Sequence, residues 1–77
     1  MTTIKREDTA TGTITVFTDV SDAVDQFITD GYNAAEEPDG DLEDYLDDMV
    51  TVNETVDALN KLEGEETLEA GAFIYSK

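Results

Sequence analysis

The stretch TITVFTDVSDAVDQFITDG, residues 13–31, changes its hydrophobic period from that of a strand to that of a helix. In its first part, Ile14 and Val16 fall on one face of an extended chain, and Phe17 falls on the other face with threonines. β-Branched and aromatic residues in strict alternation are typical of strands. The stretch therefore predicts a strand that runs directly into a helix.

A second, weaker strand is predicted just before it, from Thr2 to Glu7, with Ile4 as its clear inward residue. Between the two strands lies the turn-like sequence DTATG, residues 8–12. Its final glycine stands where a positive φ is needed. Two extended segments joined by such a turn predict a β-hairpin.

The helix that follows has two candidate N-terminal caps, Asp19 and Ser21. Its apolar residues recur at helical spacing and form one stripe: Ala23, Val24, Phe27, Ile28 and Gly31. The acids of the same segment are predicted to point away from that stripe: Asp22, Asp25 and Asp30. The helix should end near Ala35, before the loop residues Pro38 and Gly40.

Two further helices are predicted. Asp41 can cap the first, whose apolar residues have the spacing i, i+3, i+4, i+7: Leu42, Tyr45, Leu46 and Met49. The run from Thr51 to Glu54 fits a capping box and predicts a third helix, with Gly64 suited to its C-terminal cap. Its buried side should consist of Val52, Val56, Leu59 and Leu62. A short strand over residues 49–52 is the alternative to a turn between these helices.

The last segment, from Leu68 to Ser76, alternates again. Four of its residues share one face, Leu68, Ala70, Ala72 and Ile74, and the other face carries Phe73 and Tyr75. A strand here completes a single α+β domain over residues 1–77. The prediction is a small antiparallel sheet, made of the N-terminal hairpin plus the C-terminal strand, packed against two or three helices in the order ββαααβ.

Length and composition exclude several kinds of function. The 77 residues suit one small domain without a deep pocket. The sequence has no Cys and no His, so thiolate and imidazole ligands and the usual general base are missing. The apolar runs are too short to span a membrane, and no apolar stretch follows the basic residues near the N-terminus. We expect a soluble, cytoplasmic protein without a cofactor.

Acidic residues dominate the sequence. Twenty Asp and Glu against four Lys and Arg give a net charge of −16. Sixteen of these acids lie between Glu7 and Asn60, a stretch without any Lys or Arg. The acids are densest in residues 36–48, where they make up eight of the thirteen positions: Glu36, Glu37, Asp39, Asp41, Glu43, Asp44, Asp47 and Asp48.

The spacing of these acids on a helix has a chemical meaning. Carboxylates three or four residues apart lie roughly 5–6 Å from each other at Cβ. The phosphates of one DNA strand have a comparable separation, given a rise of about 3.4 Å per strand and their radial offset. A helix with acids on both flanks of its buried stripe can therefore imitate a phosphate backbone. We expect the main contact at residues 36–48 and a second patch at Asp22, Asp25 and Asp30.

Two alternatives explain the acids without a partner. They can form an ordinary solvated surface, although such surfaces usually mix both signs of charge. They can also reflect adaptation to a high-salt cytoplasm, which many acids, eleven threonines and few lysines would fit. The clustering of the acids favours a binding surface over both.

Metal binding and catalysis are not supported by any motif. Asp39, Asp41 and Glu43 match the first ligands of an EF-hand loop, but Asp44 stands where glycine is required and Val50 where glutamate is required. Ser21 has no evident base partner, and no phosphate-binding glycine loop is present. We therefore expect no enzymatic activity, no specific metal and no direct contact with nucleic acid.

In size, acidity and absence of catalytic residues, the chain resembles phage-encoded DNA mimics. These include anti-CRISPR and anti-restriction proteins and inhibitors of uracil-DNA glycosylase. The resemblance covers the general character of the whole chain and no specific motif. It implies that an acidic surface occupies the nucleic-acid site of a basic protein or ribonucleoprotein complex in the host cytoplasm, for example a CRISPR effector.

The leading functional hypothesis is thus a non-catalytic, DNA-mimicking inhibitor of a host defence complex. The alternative is an acidic adaptor or subunit, haloarchaeal or viral, that docks through the sheet face bearing Phe73 and Tyr75. Tyr32 is a further interface candidate, and Tyr45 is predicted to lie in the core with its hydroxyl at the edge. The chain is expected to be a monomer or a homodimer.

Overall fold

The residues that the structure describes form four antiparallel strands and three helices, in the chain order ββαααββ. The computed structural model describes residues 3–35 and 40–77. Its elements are β1 (Ile4–Asp8), β2 (Ile14–Phe17), α1 (Val20–Ala34), α2 (Leu42–Asp47), α3 (Met49–Asn60), β3 (Leu68–Ala70) and β4 (Phe73–Ser76). The predicted α+β class is confirmed, and the C-terminal part contributes two strands instead of one.

The strand order β2-β1-β4-β3 places the two ends of the chain side by side in the middle of the sheet. The predicted N-terminal hairpin is confirmed, since Lys5 pairs with Val16 and Glu7 with Ile14. Gly12 in its turn has a φ of +76°, a conformation that favours glycine. β4 pairs with the other side of β1, which leaves β2 and β3 as the edges of the sheet.

One face of the sheet, the inner face, is covered by the helices. Ile4 and Tyr75 on this face are almost completely buried, and Phe17, directly opposite Ile4, packs against the same core. Pleating sends alternate residues to the other, outer face. Ile14 and Val16 therefore face outward and are 58% and 54% exposed. Because Phe17 pairs with the buried Ile4, the face of β2 that carries Phe17 is directed toward the helices and the opposite face is directed toward solvent.

α1 packs between the sheet and the other two helices and contacts both edge strands. It begins where predicted, because the Asp19 carboxylate accepts a hydrogen bond of 2.9 Å from the Ser21 amide. Ser21 is therefore a residue of the first turn and not the cap. The core joins buried apolar side chains from the sheet, from α1 and from the end of α3: Ile4, Ala23, Val24, Ile28, Leu59, Leu62, Ala70 and Tyr75.

α2 and α3 meet at Asp48, which ends one helix and caps the next. Its carboxylate accepts hydrogen bonds of 3.1 Å from the Val50 amide and 3.0 Å from the Thr51 hydroxyl. The capping box predicted at Thr51 is therefore wrong, because the carboxylate three residues earlier takes that role. The alternative strand over residues 49–52 is wrong as well. Met49 starts α3 and is 65% exposed, so it does not continue the stripe of α2.

α3 ends at Asn60 with Lys61 as its C-terminal cap, so Gly64 is not the cap but belongs to the following turn. Its buried side contains Leu59, as predicted, and also Thr55, whose hydroxyl donates to the Thr51 carbonyl at 2.8 Å. That local hydrogen bond allows a polar side chain to be buried here. Within residues 3–35 and 40–77, no helix has the length and apolar character needed to cross a membrane.

The single C-terminal strand predicted from the sequence is wrong, because the chain reverses at Gly71 and Ala72. Gly71 has a φ of +62°, and a Cβ atom there would lie 2.8 Å from the Cβ of Ala34 at the end of α1. The reversal places Ala70 opposite Phe73 and Leu68 opposite Tyr75. Residues that a single strand would put on opposite faces therefore share the inner face. The same face is covered by α1, so Phe73 and Tyr75 do not form an open docking surface.

Candidate binding surface

Exposed carboxylates cover the helices and the ends of the helices. We call the following set the acidic helical surface, and each of its members is exposed: Asp22, Asp25, Asp41, Glu43, Asp44, Asp47, Asp48, Glu54 and Asp57. It includes every predicted contact residue on α2 and two of the three on α1. The remaining predicted contacts of the loop, Glu36, Glu37 and Asp39, lie outside the described residues.

α2 carries the acids that are least engaged with the rest of the fold. Leu42, Tyr45 and Leu46 pack against the core, and the carboxylates lie on the flanks of this apolar side. Glu43, Asp44 and Asp47 make no side-chain hydrogen bond and no ion pair with the described residues. Glu43 and Asp44 lie in the first turn of α2, where the helix dipole favours negative charge, and all three carboxylates are exposed.

Few cations balance this surface. Lys61 forms an ion pair of 2.7 Å with Asp57, in which both side chains are mostly exposed. Such an i, i+4 pair contributes only about 0.3–0.5 kcal/mol. Lys77 donates to the Asn60 carbonyl at 2.6 Å, and Lys5 lies on the outer face of the sheet. The charge of the acidic helical surface is thus largely uncompensated within the described parts of the chain.

Asp30 was predicted to belong to the second acidic patch, and this placement is wrong. Its side chain is only 3% exposed and forms a bidentate ion pair with Arg6, with N–O distances of 2.7 and 2.8 Å. Tyr75 donates to it at 2.5 Å and Gln26 at 2.8 Å. Both oxygens are fully used by groups of the same molecule, so Asp30 is a structural residue that joins α1 to the middle of the sheet.

The surroundings of Asp30 keep it ionised. Burial alone raises the pKa of its carboxyl group, but the hydrogen bonds from Arg6, Tyr75 and Gln26 outweigh this and hold the pKa below its ordinary value. Burial, followed by the hydrogen bond to Asp30, raises the pKa of the Tyr75 hydroxyl, which stays protonated as a donor. The Arg6 guanidinium also stacks on the Phe73 ring, 3.6 Å from its centroid.

A sequence signal for this network existed. Asp30 follows Ala23 by seven residues and Phe27 by three, which places it on the apolar stripe of α1. Arg6 follows Ile4 by two residues and therefore shares the inner face of β1. An acid and a base that both interrupt apolar patterns are the residue types of a buried ion pair.

All three tyrosines make ring contacts within the fold. Tyr75 is completely buried and meets the Phe27 ring edge-on at 5.0 Å, so its predicted role at an interface is wrong. Tyr32 and Tyr45 form a second edge-on pair at 5.6 Å, and the Tyr32 hydroxyl donates to the Gly40 carbonyl at 3.0 Å. A cavity of about 230 Å³ lies beside this pair, and none of the described residues that line it is an acid. The cavity is therefore not part of the acidic helical surface.

The outer face of the sheet differs from the helices in charge. Its residues follow from the strand register: Lys5, Glu7, Ile14, Val16, Glu69, Ile74 and Ser76. Lys5 lies between Val16 and Ser76, and Glu7 lies between Ile14 and Ile74. This face therefore has a net charge close to zero and apolar side chains open to solvent.

No family model, no curated protein and no solved structure matches the chain. Among the described residues, no group of three or more acidic side chains is arranged to hold a metal ion.

Proposed function

We propose that the protein is a non-catalytic inhibitor that occupies the positively charged nucleic-acid site of a host defence complex, such as a CRISPR effector or a restriction system. The observation that carries the proposal is the acidic helical surface: exposed carboxylates on three consecutive helices, most of which have no ion-pair partner among the described residues. The protein would act in the cytoplasm of the host cell, and its acids would replace DNA phosphates in contacts with Lys and Arg.

The energetics of α2 support this role. Glu43 and Asp47 lie at i and i+4, and Asp44 and Asp47 at i and i+3, so like charges weaken the helix by a few tenths of a kcal/mol per pair. The helix dipole offsets part of this cost at Glu43 and Asp44, which lie in the first turn, and none of the three carboxylates forms an ion pair within the described residues. A basic partner would remove that repulsion on binding, and complementary charge would speed association at low salt.

The matching test is displacement of DNA from purified defence complexes. A labelled DNA duplex is bound to a CRISPR effector or a restriction enzyme and titrated with the protein. Its displacement is followed by fluorescence anisotropy at about 0.1 M NaCl, near physiological ionic strength, and at about 0.5 M NaCl, where exposed charges are screened more strongly. We expect displacement at the lower salt with at least one target, and a marked loss of affinity at the higher salt.

The location of the contact is tested with isosteric amides. The triple variant Glu43→Gln, Asp44→Asn, Asp47→Asn removes three charges without ion-pair partners among the described residues, and should weaken displacement about 3- to 150-fold, because each exposed ion pair contributes about 0.2–1 kcal/mol. The matched control Glu7→Gln, Glu65→Gln, Glu69→Gln removes the same charge away from the helices. If both triples weaken displacement equally, only the overall charge matters and the proposed surface is wrong.

An acidic adaptor that docks through its sheet is the second candidate. The face originally expected to dock, with Phe73 and Tyr75, is covered by α1. The opposite face is open and carries Ile14 and Val16, both more than half exposed. If neither triple variant affects partner binding and a substitution at Val16 abolishes it, the adaptor would be favoured over the inhibitor.

A further inference from the structure

β2 is an edge strand, and the backbone groups on its free side pair with no other strand among residues 3–35 and 40–77. In the N-terminal hairpin, the Asp8 amide donates to the Thr13 carbonyl at 2.8 Å. In an antiparallel pair the hydrogen-bonded positions recur at every second residue. Thr15 and Phe17 therefore bond toward β1, and the N–H and C=O groups of Ile14 and Val16 point away from the sheet.

The two edges of the sheet differ in how they are protected. Edge strands usually carry charges or are very short, which prevents pairing with another chain. β3 has both properties: it is three residues long, it contains Glu69, and Glu65 and Glu66 precede it closely. β2 has neither a charge nor a proline, and its exposed side chains are β-branched.

The charge distribution limits which chains can pair with the free edge of β2. Residues 9–18 form the longest uncharged run of a sequence with a net charge of −16. A second copy of this protein is repelled by the helices, but at β2 it meets no acid within the strand. The outward neighbours on β1, Lys5 beside Val16 and Glu7 beside Ile14, cancel in charge. The edge is also complementary to itself, because each outward residue offers one donor and one acceptor.

We propose that two copies of the protein associate through β2, antiparallel and around a twofold axis at Thr15. Ile14 of each copy lies opposite Val16 of the other, and the two residues exchange their outward N–H and C=O groups. The two sheets become one continuous sheet, and the apolar side chains of both copies lie next to each other on its outer face. This inference goes beyond the proposed function and does not depend on it.

Salt separates this association from binding to a basic target. Two copies with the same charge repel each other, so screening strengthens the dimer. Binding of the acidic helical surface to a basic site is weakened by the same screening. The dimer should therefore dissociate at low salt and accumulate at high salt, the reverse of what the proposed inhibitor contact should do.

The test is sedimentation equilibrium of the full chain at protein concentrations from about 10 µM to 1 mM, the range over which weak specific contacts populate. It is repeated in low and in molar salt. We expect a monomer–dimer equilibrium whose dissociation constant falls as salt rises. A chain that remains monomeric at every concentration and salt overturns the proposal, even if it captures a strand of another protein.

Two variants locate the interface. Val16→Pro removes an outward N–H without breaking the ladder to β1, which edge prolines allow. It should raise the dissociation constant about 30-fold, because each dimer loses two backbone hydrogen bonds of about 1 kcal/mol each. Circular dichroism verifies that the variant is folded, and Val16→Lys provides a second disruption without proline. A dimer that persists in both folded variants overturns the proposal.

Ile74→Lys is the matched control for Val16→Lys. It places the same charge on the same outer face, but on β4 inside the sheet and not at the edge. We expect the dimer to survive this change. If Ile74→Lys disrupts association as strongly as Val16→Lys, the two copies pack face to face and the edge pairing is wrong.

Discussion

Exposed carboxylates cover the helices, whereas the outer face of the sheet combines Lys5 with two glutamates and three apolar side chains. At its edge, β2 has no charge at all. The two regions belong to one chain of 77 residues with a net charge of −16, so the acidity is segregated and not spread evenly. Each region therefore fits a partner of different chemistry, and salt should act on the two contacts in opposite directions.

Asp30 connects α1, which carries part of the acidic helical surface, to the inner face of the sheet. It belongs to α1, but its carboxylate turns inward to Arg6 and Tyr75 of the sheet. Asp22 and Asp25 on the same helix remain exposed. The difference between these acids lies only in their position relative to the apolar stripe, and it separates a structural carboxylate from those available for binding.

The largest effect is expected from breaking this connection. Asp30→Ala leaves the partly buried Arg6 guanidinium and the buried Tyr75 hydroxyl without their acceptor, and should lower the free energy of unfolding by about 3 kcal/mol. Asp25→Ala makes the same chemical change at an exposed position of the helix and should alter stability by less than about 0.5 kcal/mol. Urea denaturation measures both, and equal losses would contradict the distinction.

A smaller effect follows from pH. Because the pKa of Asp30 is lower in the folded than in the unfolded state, its contribution is present above the unfolded value of about 4 and is lost as the pH falls toward the folded value. The stability difference between the wild type and Asp30→Asn should therefore be constant from about pH 7 to 5 and shrink below about 4. Subtracting the free energy of unfolding of the variant from that of the wild type removes the contribution of the exposed acids, because these titrate in both proteins. A difference that grows as the pH falls would show that the sign is wrong.

The smallest effect distinguishes two acids within the acidic helical surface. Asp48 caps α3 with its side chain, whereas Asp41 precedes α2 without a side-chain capping bond. Asp48→Ala should cost about 1 kcal/mol, and Asp41→Ala should leave the unfolding free energy nearly unchanged. Thermal unfolding resolves this difference. If Asp41→Ala is the more destabilising change, the assignment of the caps is wrong.

The capping result also affects how the binding surface is tested. Reversing the charge of Asp48 would disturb the start of α3 together with any partner contact, since its carboxylate bonds to Val50 and Thr51. Glu43, Asp44 and Asp47 have no such bonds within the described residues. Changes at these three positions therefore report on binding with little effect on the fold.

Sequence patterns predicted much of the fold and part of the surface. The N-terminal hairpin, the glycine in its turn and α1 with its cap at Asp19 follow from local rules, because strand alternation, helix capping and turn chemistry depend on neighbouring residues. The exposure of the α2 acids also follows locally, since Leu42, Tyr45 and Leu46 fix the buried side of that helix.

Tertiary contacts decided the remaining features. The C-terminal chain reverses at Gly71, where the hairpin turn lies against Ala34, a contact that joins residues distant in sequence. The outward orientation of Ile14 and Val16 depends on the register with β1, because a shift of one residue exchanges the two faces of a strand. The structural role of Asp30 on α1 also depends on distant segments, since its partners Arg6 and Tyr75 come from β1 and β4. Sequence by itself determined the amount of charge and the local elements, whereas the packing of distant segments decided which charges remain available to a partner.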